Sequence, residues 1–316
     1  MSLPFDLPLI RSWLYAPGNV PRFLGRVFSA GADAVVLDLE DSVPAGEKDR
    51  ARELVAEALA ERAGMAGPLT FVRVNAPGSP ELVADLDAIV RPGLEGIRIP
   101  KVEDADAVAA FEAHLDAIAG RAGVDVSALP LVCGIESARG VGQAAAIASC
   151  SPRVLALSFG AADLAADLSL SEGPDRLETL TARSLLVLAS RTAGIRPPVD
   201  SVSVALDDDA ALERTTRLGR DLGFFGRAAI HPRQVPIING VFTPSADAVA
   251  RARAVVEAAA DAAGSGSGSM RLADGTFIDL AIVRRARLVL GLGERLAAPD
   301  PDPDPDPDPD PDPDRG

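Results

Sequence analysis

Eight short apolar runs recur along this chain, at residues 12–16, 34–39, 70–75, 96–100, 131–135, 154–159, 199–204 and 227–230. Most are followed by an Ala- and charge-rich stretch with helical spacing, as at 47–63, 105–119 and 176–192. Runs of four to six residues broken by glycine, proline or charge read as strands buried on both faces. Strand and helix alternating eight times predicts an α/β fold, a (β/α)8 TIM barrel with a C-terminal helical extension. A doubly wound open sheet is the competing architecture, but no G-x-G-x-x-G follows the first run.

The expected organisation has three parts. The barrel takes residues 1–242. A helical extension takes 243–298 and contains the Gly-Ser stretch 264–269, read as a flexible linker. Residues 299–316 are a Pro-Asp repeat, read as a disordered tail because alternating proline blocks helix and sheet. That tail carries −7 of the net charge of −15 and leaves −8 on the rest. An acidic body argues against nucleic acid as a partner. Aromatics at 4% leave little for base stacking. No stretch of 18 apolar residues occurs, so no membrane partner is expected. Cys133 and Cys150 fit no metal spacing and are read as reduced, largely buried thiols of a cytoplasmic protein.

Charged residues cluster where the runs end, which in an α/β barrel is the face that carries chemistry. Asp38, Glu40 and Asp41 follow the second run, Arg73 and Asn75 lie in the third, and Lys101 and Glu103 follow the fourth. Glu136 and Arg139 follow the fifth, Asp163 the sixth and His231 the eighth. Glu136 and Asp163 are hard oxygen donors on neighbouring strands, a pair that suits Mg²⁺ with room for water and substrate. The same pair could instead form an internal network with Arg73 and Arg139. Arg73 alternates with Val72 and Val74, so it points into the barrel and needs an anion there, either a substrate carboxylate or a structural one. At least one of Asp38, Glu40 and Asp41 is expected to be structural. Lys101 is read as a salt bridge to Glu40 or Glu103, and His231 as a loop residue that hydrogen-bonds.

In these stretches the chain resembles the citrate lyase β-subunit-like group of the HpcH/HpaI aldolase superfamily, with its malyl-CoA and citramalyl-CoA lyases. The matching segments are Leu-Tyr-Ala-Pro-Gly-Asn (14–19), Val-Leu-Asp-Leu-Glu-Asp-Ser-Val (36–43), Val-Arg-Val-Asn (72–75) and Pro-Lys-Val-Glu (100–103). Gly-Ile-Glu-Ser (134–137), Phe-Gly-Ala-Ala-Asp-Leu (159–164) and Gly-Phe-Phe-Gly-Arg-Ala-Ala-Ile-His-Pro-Arg-Gln (223–234) continue the series, with a weaker echo at Phe-Ile-Asp (277–279). The resemblance implies Mg²⁺ (or Mn²⁺) on Glu136 and Asp163 and a 2-oxo acid gripped by Arg73, with Gly160 and Ala161 also in contact with substrate. It implies a coenzyme A thioester as co-substrate, its phosphates near Arg22 and Lys48. It places Glu40 in the catalytic set and makes Asp279, from a neighbouring subunit of a homo-oligomer (trimer or hexamer), the acid/base. The reaction implied is reversible cleavage of a β-hydroxyacyl thioester to an acyl-CoA and a 2-oxo acid. Hydrolysis of the same thioester, or a non-catalytic barrel subunit, are the alternatives.

Overall fold

The computed structural model describes residues 7–171, 173, 177–265, 270–271 and 277–297. The chain divides into two compact units at Thr243/Pro244. In the first, seven strands form one curled parallel sheet: β1 (Ser12–Pro17), β2 (Ala34–Asp38), β3 (Leu69–Arg73), β4 (Gly96–Ile99), β5 (Leu131–Ile135), β6 (Val154–Phe159) and β7 (Arg227–Ala229). Their order is β6-β5-β4-β3-β2-β1-β7. From β1 to β6 neighbours in sequence are neighbours in space, and β7 returns to the free side of β1, without the mid-sheet reversal that a doubly wound sheet requires.

The helices of this unit are α1 (Pro21–Val27), α2 (Lys48–Arg62), α3 (Leu82–Ile89), α4 (Ala105–Ala122), α5 (Ala138–Ser149), α6 (Ala161–Asp167), α7 (Leu180–Ala193), α8 (Asp209–Leu222) and α9 (Gln234–Phe242). Local chemistry sets their ends. The Asp104 carboxylate accepts from the Ala107 N–H at 2.9 Å to start α4, and Gly123 closes it in the left-handed region at φ 68°. Ser137 starts α5 by accepting from the Gly140 N–H at 3.1 Å.

Alternation along each strand splits the buried side chains into two layers. Val35, Leu37, Val72, Ile97, Ile99, Cys133 and Leu157 pack outward against the helices. Trp13, Val36, Phe71, Val132, Ala156 and Val199 fill the inner face. Phe71 meets Trp13 edge-on with ring centroids 4.9 Å apart, and its ring occupies the space that a side chain on Gly96 would need. Burying such an aromatic is worth about 2–3 kcal/mol.

The seventh expected strand, at 199–204, is corrected. Only Val199 and Asp200 pair, as isolated parallel bridges to Ser158 and Arg227. Beyond Asp200, side chains replace the ladder: Arg227 Nε donates to the Ser201 carbonyl at 3.0 Å and Gln234 Nε2 to the Ser203 carbonyl at 2.9 Å. A backbone satisfied by side chains has no need of a neighbouring strand.

The second unit holds α10 (Ala246–Ser265), a short antiparallel pair of β8 (Met270–Arg271) and β9 (Phe277–Ile278), and α11 (Leu280–Ala297). Ala252, Val255, Ile278, Val283 and Ala286 form its own core. Helix α10 continues through Gly264 and Ser265, which the linker reading placed outside it. Residues 266–269 of that stretch and the Pro-Asp repeat lie outside the described residues.

Candidate active site

Register brings the site together. Asp38 pairs with Arg73 across β2 and β3, and Arg73 with Arg98 across β3 and β4. All three side chains therefore project to the same side at one level. Arg73 closes a planar fork on Asp38, with Nε to Oδ1 and Nη2 to Oδ2 both at 2.6 Å, while its Nη1 lies 2.9 Å from Glu40 Oε2. The anion that Arg73 holds here is thus a carboxylate of the chain itself. Burial alone would raise the Asp38 carboxyl, but the Arg73 guanidinium outweighs it and holds Asp38 below the ordinary carboxylate value.

Glu40 is buried and bonded to Lys101, whose ammonium also meets Asp41 Oδ2 at 2.9 Å. Burial lifts the Glu40 carboxyl against the pull of Arg73 and Lys101, with Asp41 adding to the rise. Its Oε2 accepts no hydrogen bond among the described residues and is met by Arg73 Nη1 as an ion pair at 2.9 Å. Lys101 adopts φ 52°, left-handed for a residue with a side chain, a strain offset by its two carboxylate partners.

Glu136 follows β5 in a slot cut by two glycines. A methyl group on Gly134 would stand 2.6 Å from Glu136 Oε1, and one on Gly160 would collide with Glu136 Cγ and stand 2.9 Å from Cδ. Gly160 gives its N–H to the Ile135 carbonyl at 3.0 Å, tying the end of β6 to the end of β5. The Glu136 carboxyl is pushed up to about 7, first by burial and then by the negative charges of Glu40 and Asp163. Asp163 stands exposed on the first turn of α6, next to buried Ala161.

Several expected site residues face elsewhere. Arg139 is exposed and paired with Asp104 at 2.6 Å. His231 is exposed, its Nδ1 accepting from the Arg233 N–H at 3.2 Å, as the loop reading expected. Lys48 turns inward and donates to the carbonyls of Leu39 and Glu40 at 2.6 and 2.7 Å and to Asn75 Oδ1 at 2.9 Å. Its three protons are spent bracing the loop that carries Glu40, which leaves none for a phosphate. Arg22 is exposed and lies 4.9 Å from the centroid of the Phe23 ring. In the second unit, Asp279 caps α11, accepting from the Ile282 N–H at 2.8 Å. Cys133 is buried, but Cys150 is exposed, which corrects the reading of both as buried.

Sequence reasoning missed the network behind this layer. Fully buried Asp85 accepts from Arg52 Nε at 2.8 Å, from the Asn75 N–H at 2.8 Å and from Asn75 Nδ2 at 2.6 Å. Asn75 in turn holds Lys48 and the Leu39 carbonyl. The available signal was an acidic residue on the apolar face of α3, between Leu82 and Leu86.

Among the described residues, no group of three or more His, Cys, Asp and Glu side chains assembles as a metal cage. Glu136 and Asp163 instead offer two oxygen donors without sulfur or nitrogen. That set fits Mg²⁺ or Mn²⁺, which keep water or substrate oxygens in their remaining positions. Burial, and after it the negative charges of Glu40 and Asp163, disfavour the ionised Glu136 carboxylate, a cost that a bound cation would offset.

A parallel α/β sheet that gathers carboxylates and guanidinium groups at the carboxyl ends of its strands places them on the face where enzymes of this architecture carry their chemistry. The chain belongs to the HpcH/HpaI aldolase/citrate lyase family, whose pattern matches residues 11–232. It is 35% identical over 284 residues to the citrate lyase subunit beta of Leuconostoc mesenteroides subsp. cremoris, covering 90% of this chain and 93% of that one. It is 36% identical over 288 residues to a (3S)-malyl-CoA thioesterase of Cereibacter sphaeroides, covering 91% and 96%. Among solved structures it resembles the CitE protein of Mycobacterium tuberculosis in complex with magnesium, acetoacetate and coenzyme A. That match has a TM-score of 0.73 and 27% identity, and covers 92% of this chain and 100% of the other.

Proposed function

We propose that this chain is a divalent-metal-dependent carbon–carbon lyase that reversibly cleaves a β-hydroxyacyl-CoA of the malyl, citramalyl or citryl type into an acyl-CoA and a 2-oxo acid. The observation that carries this reading is the Glu136 carboxyl set in its slot between Gly134 and Gly160, with the Arg73–Asp38 fork in the same strand-end cluster; burial first, then Glu40 and Asp163, raise that carboxyl. The CitE complexes with magnesium and coenzyme A, and with oxaloacetate and magnesium, support the same ligand classes here. We read the catalytic part, residues 1–242, as a closed (β/α)8 barrel with Val199 and Asp200 bridging β6 and β7. Residues 243–298 are its extension. Free Cys133 and Cys150 support a cytoplasmic setting.

In this reading Glu136 and Asp163 hold Mg²⁺, which when bound polarises the 2-oxo acid oxygens and offsets charge that develops on them. Arg73, fixed by Asp38, directs its remaining Nη hydrogens at the carbonyl under attack or release. Glu40 and Lys101 keep Arg73 in place from its other side. Gly160 and Ala161 form the edge against which the oxo acid rests, and exposed Arg22 beside Phe23 receives the CoA phosphates. Asp279 of a neighbouring copy in a homo-oligomer, a trimer or hexamer, removes the hydroxyl proton. The carbon–carbon bonding pair then passes to the thioester as its enolate, and the same carboxyl returns a proton to that carbon.

Thioester hydrolysis is the second reading, and the (3S)-malyl-CoA thioesterase relative favours it. A panel of acyl-CoAs, each assayed with and without glyoxylate, pyruvate or oxaloacetate, separates the two. Metal-dependent condensation that needs the oxo acid is expected of the lyase. Thiol release from malyl-CoA or citramalyl-CoA with no carbon–carbon cleavage would overturn it.

A further inference from the structure

Among the described residues, Arg98 is a buried cation of the site that no carboxylate meets in an ion pair. It lies on the inner face of β4, level with Arg73, and is 6% exposed. Its guanidinium sits 5.3 Å from the ring centroids of both Trp13 and Tyr15. The opposing cation, Arg73, lies 5.1 Å from the Tyr15 ring, so one phenol ring contacts two guanidinium groups. The two differ in how they are compensated. Arg73 has Asp38 and Glu40, whereas Arg98 Nη1 is buried with no hydrogen-bond partner among the described residues. Among the described residues no carboxylate closes an ion pair with Arg98, although Glu136 and Asp38 act on it through space. A buried guanidinium held only by aromatic faces is unfavourable unless an anion joins it.

We propose that Arg98 is the specificity-determining residue for the free carboxylate of the 2-oxo acid, a role that Arg73, already gripping Asp38, is poorly placed to fill. This rests on the lyase reading above. Trp13 and Tyr15 position the guanidinium, and an arriving carboxylate supplies the missing counter-charge. The site therefore discriminates a 2-oxo acid from a neutral carbonyl compound of the same shape by charge.

The test compares pyruvate with its neutral isostere pyruvamide, by calorimetric titration of the full chain in saturating Mg²⁺. Wild type is expected to bind pyruvate at least about 30-fold more tightly, in keeping with the loss on truncating one partner of a buried charged pair. Arg98→Met and Arg98→Gln are expected to weaken pyruvate by about that factor and leave pyruvamide unchanged. Pyruvate binding retained in a folded variant, or both ligands weakened equally, would show Arg98 to be structural and overturn the proposal. So would wild type binding pyruvamide as tightly as pyruvate, a result that stands even if neither variant folds. Wild type that binds neither ligand overturns the lyase reading itself, a separate failure.

Discussion

Arg73 and Asp38 lie opposite each other on adjacent parallel strands and are joined by two hydrogen bonds of 2.6 Å in a planar fork. Asp38 is buried, so its charge depends on that partner. Lysine at position 73 would keep the charge and lose the fork. Arg73→Lys is expected to lower turnover at least about 100-fold and also to cost about 2–4 kcal/mol of stability, since it leaves Asp38 half-compensated. Steady-state kinetics and urea unfolding read the two effects. Wild-type turnover would place Arg73 outside the chemistry.

Gly160 is expected to behave as part of the metal site although it donates nothing to a metal. Gly160→Ala puts a methyl group into the Glu136 side chain. Mg²⁺ affinity, measured by calorimetry, should fall by about 10–100-fold, the range for disturbing groups that orient a ligand. Circular dichroism should be unchanged. Unaltered Mg²⁺ affinity would show that Glu136 does not hold the ion.

A pH dependence follows from Glu136. Its carboxyl in the folded chain is pushed up to about 7 from an ordinary 4.5. The folded state then binds the proton more tightly than the unfolded state. The resulting stability is complete below about pH 4.5 and is lost as pH rises through about 7. In EDTA, the urea midpoint should fall between pH 5 and pH 8 by an amount corresponding to at most about 3 kcal/mol from this group. Glu136→Gln should flatten that fall, and Mg²⁺ should reverse it in wild type at pH 8. An identical profile in Glu136→Gln would remove Glu136 as its source.

The proposed place of Asp279 in a neighbour's site is tested by complementation. Asp279→Asn and Glu136→Gln should each be inactive alone. Co-refolded, they should form hybrid oligomers in which some sites have both residues intact, and activity should return. Absence of recovery despite demonstrated subunit exchange would confine Asp279 to the capping bond it makes to Ile282.

The strand ends were legible because a buried parallel strand is written as an apolar run, and a carboxylate that interrupts one is conspicuous. Glu136 after β5 and the inward direction of Arg73 were readable on that ground, whereas Asp163 falls past β6, in the first turn of α6. Lys48 was not, because its sequence neighbours are all charged and only folding reveals three acceptors beneath it. The segment at 199–204 misled for a related reason. Its valines have strand spacing, but the groups that satisfy its backbone, Arg227 and Gln234, come from about thirty residues further on. Arg98 went unremarked because one arginine between two isoleucines says nothing about which carboxylates its neighbours have already claimed.

The two glycines beside Glu136 also bear on what the proposed binding of an ion would cost. A glutamate on an open surface samples many side-chain arrangements, and a ligand must select among them. Gly134 and Gly160 let their neighbour settle into a space shaped around it while the chain folds. In the proposed metal site the search is then complete before a cation arrives, so binding carries less of the cost of ordering the protein.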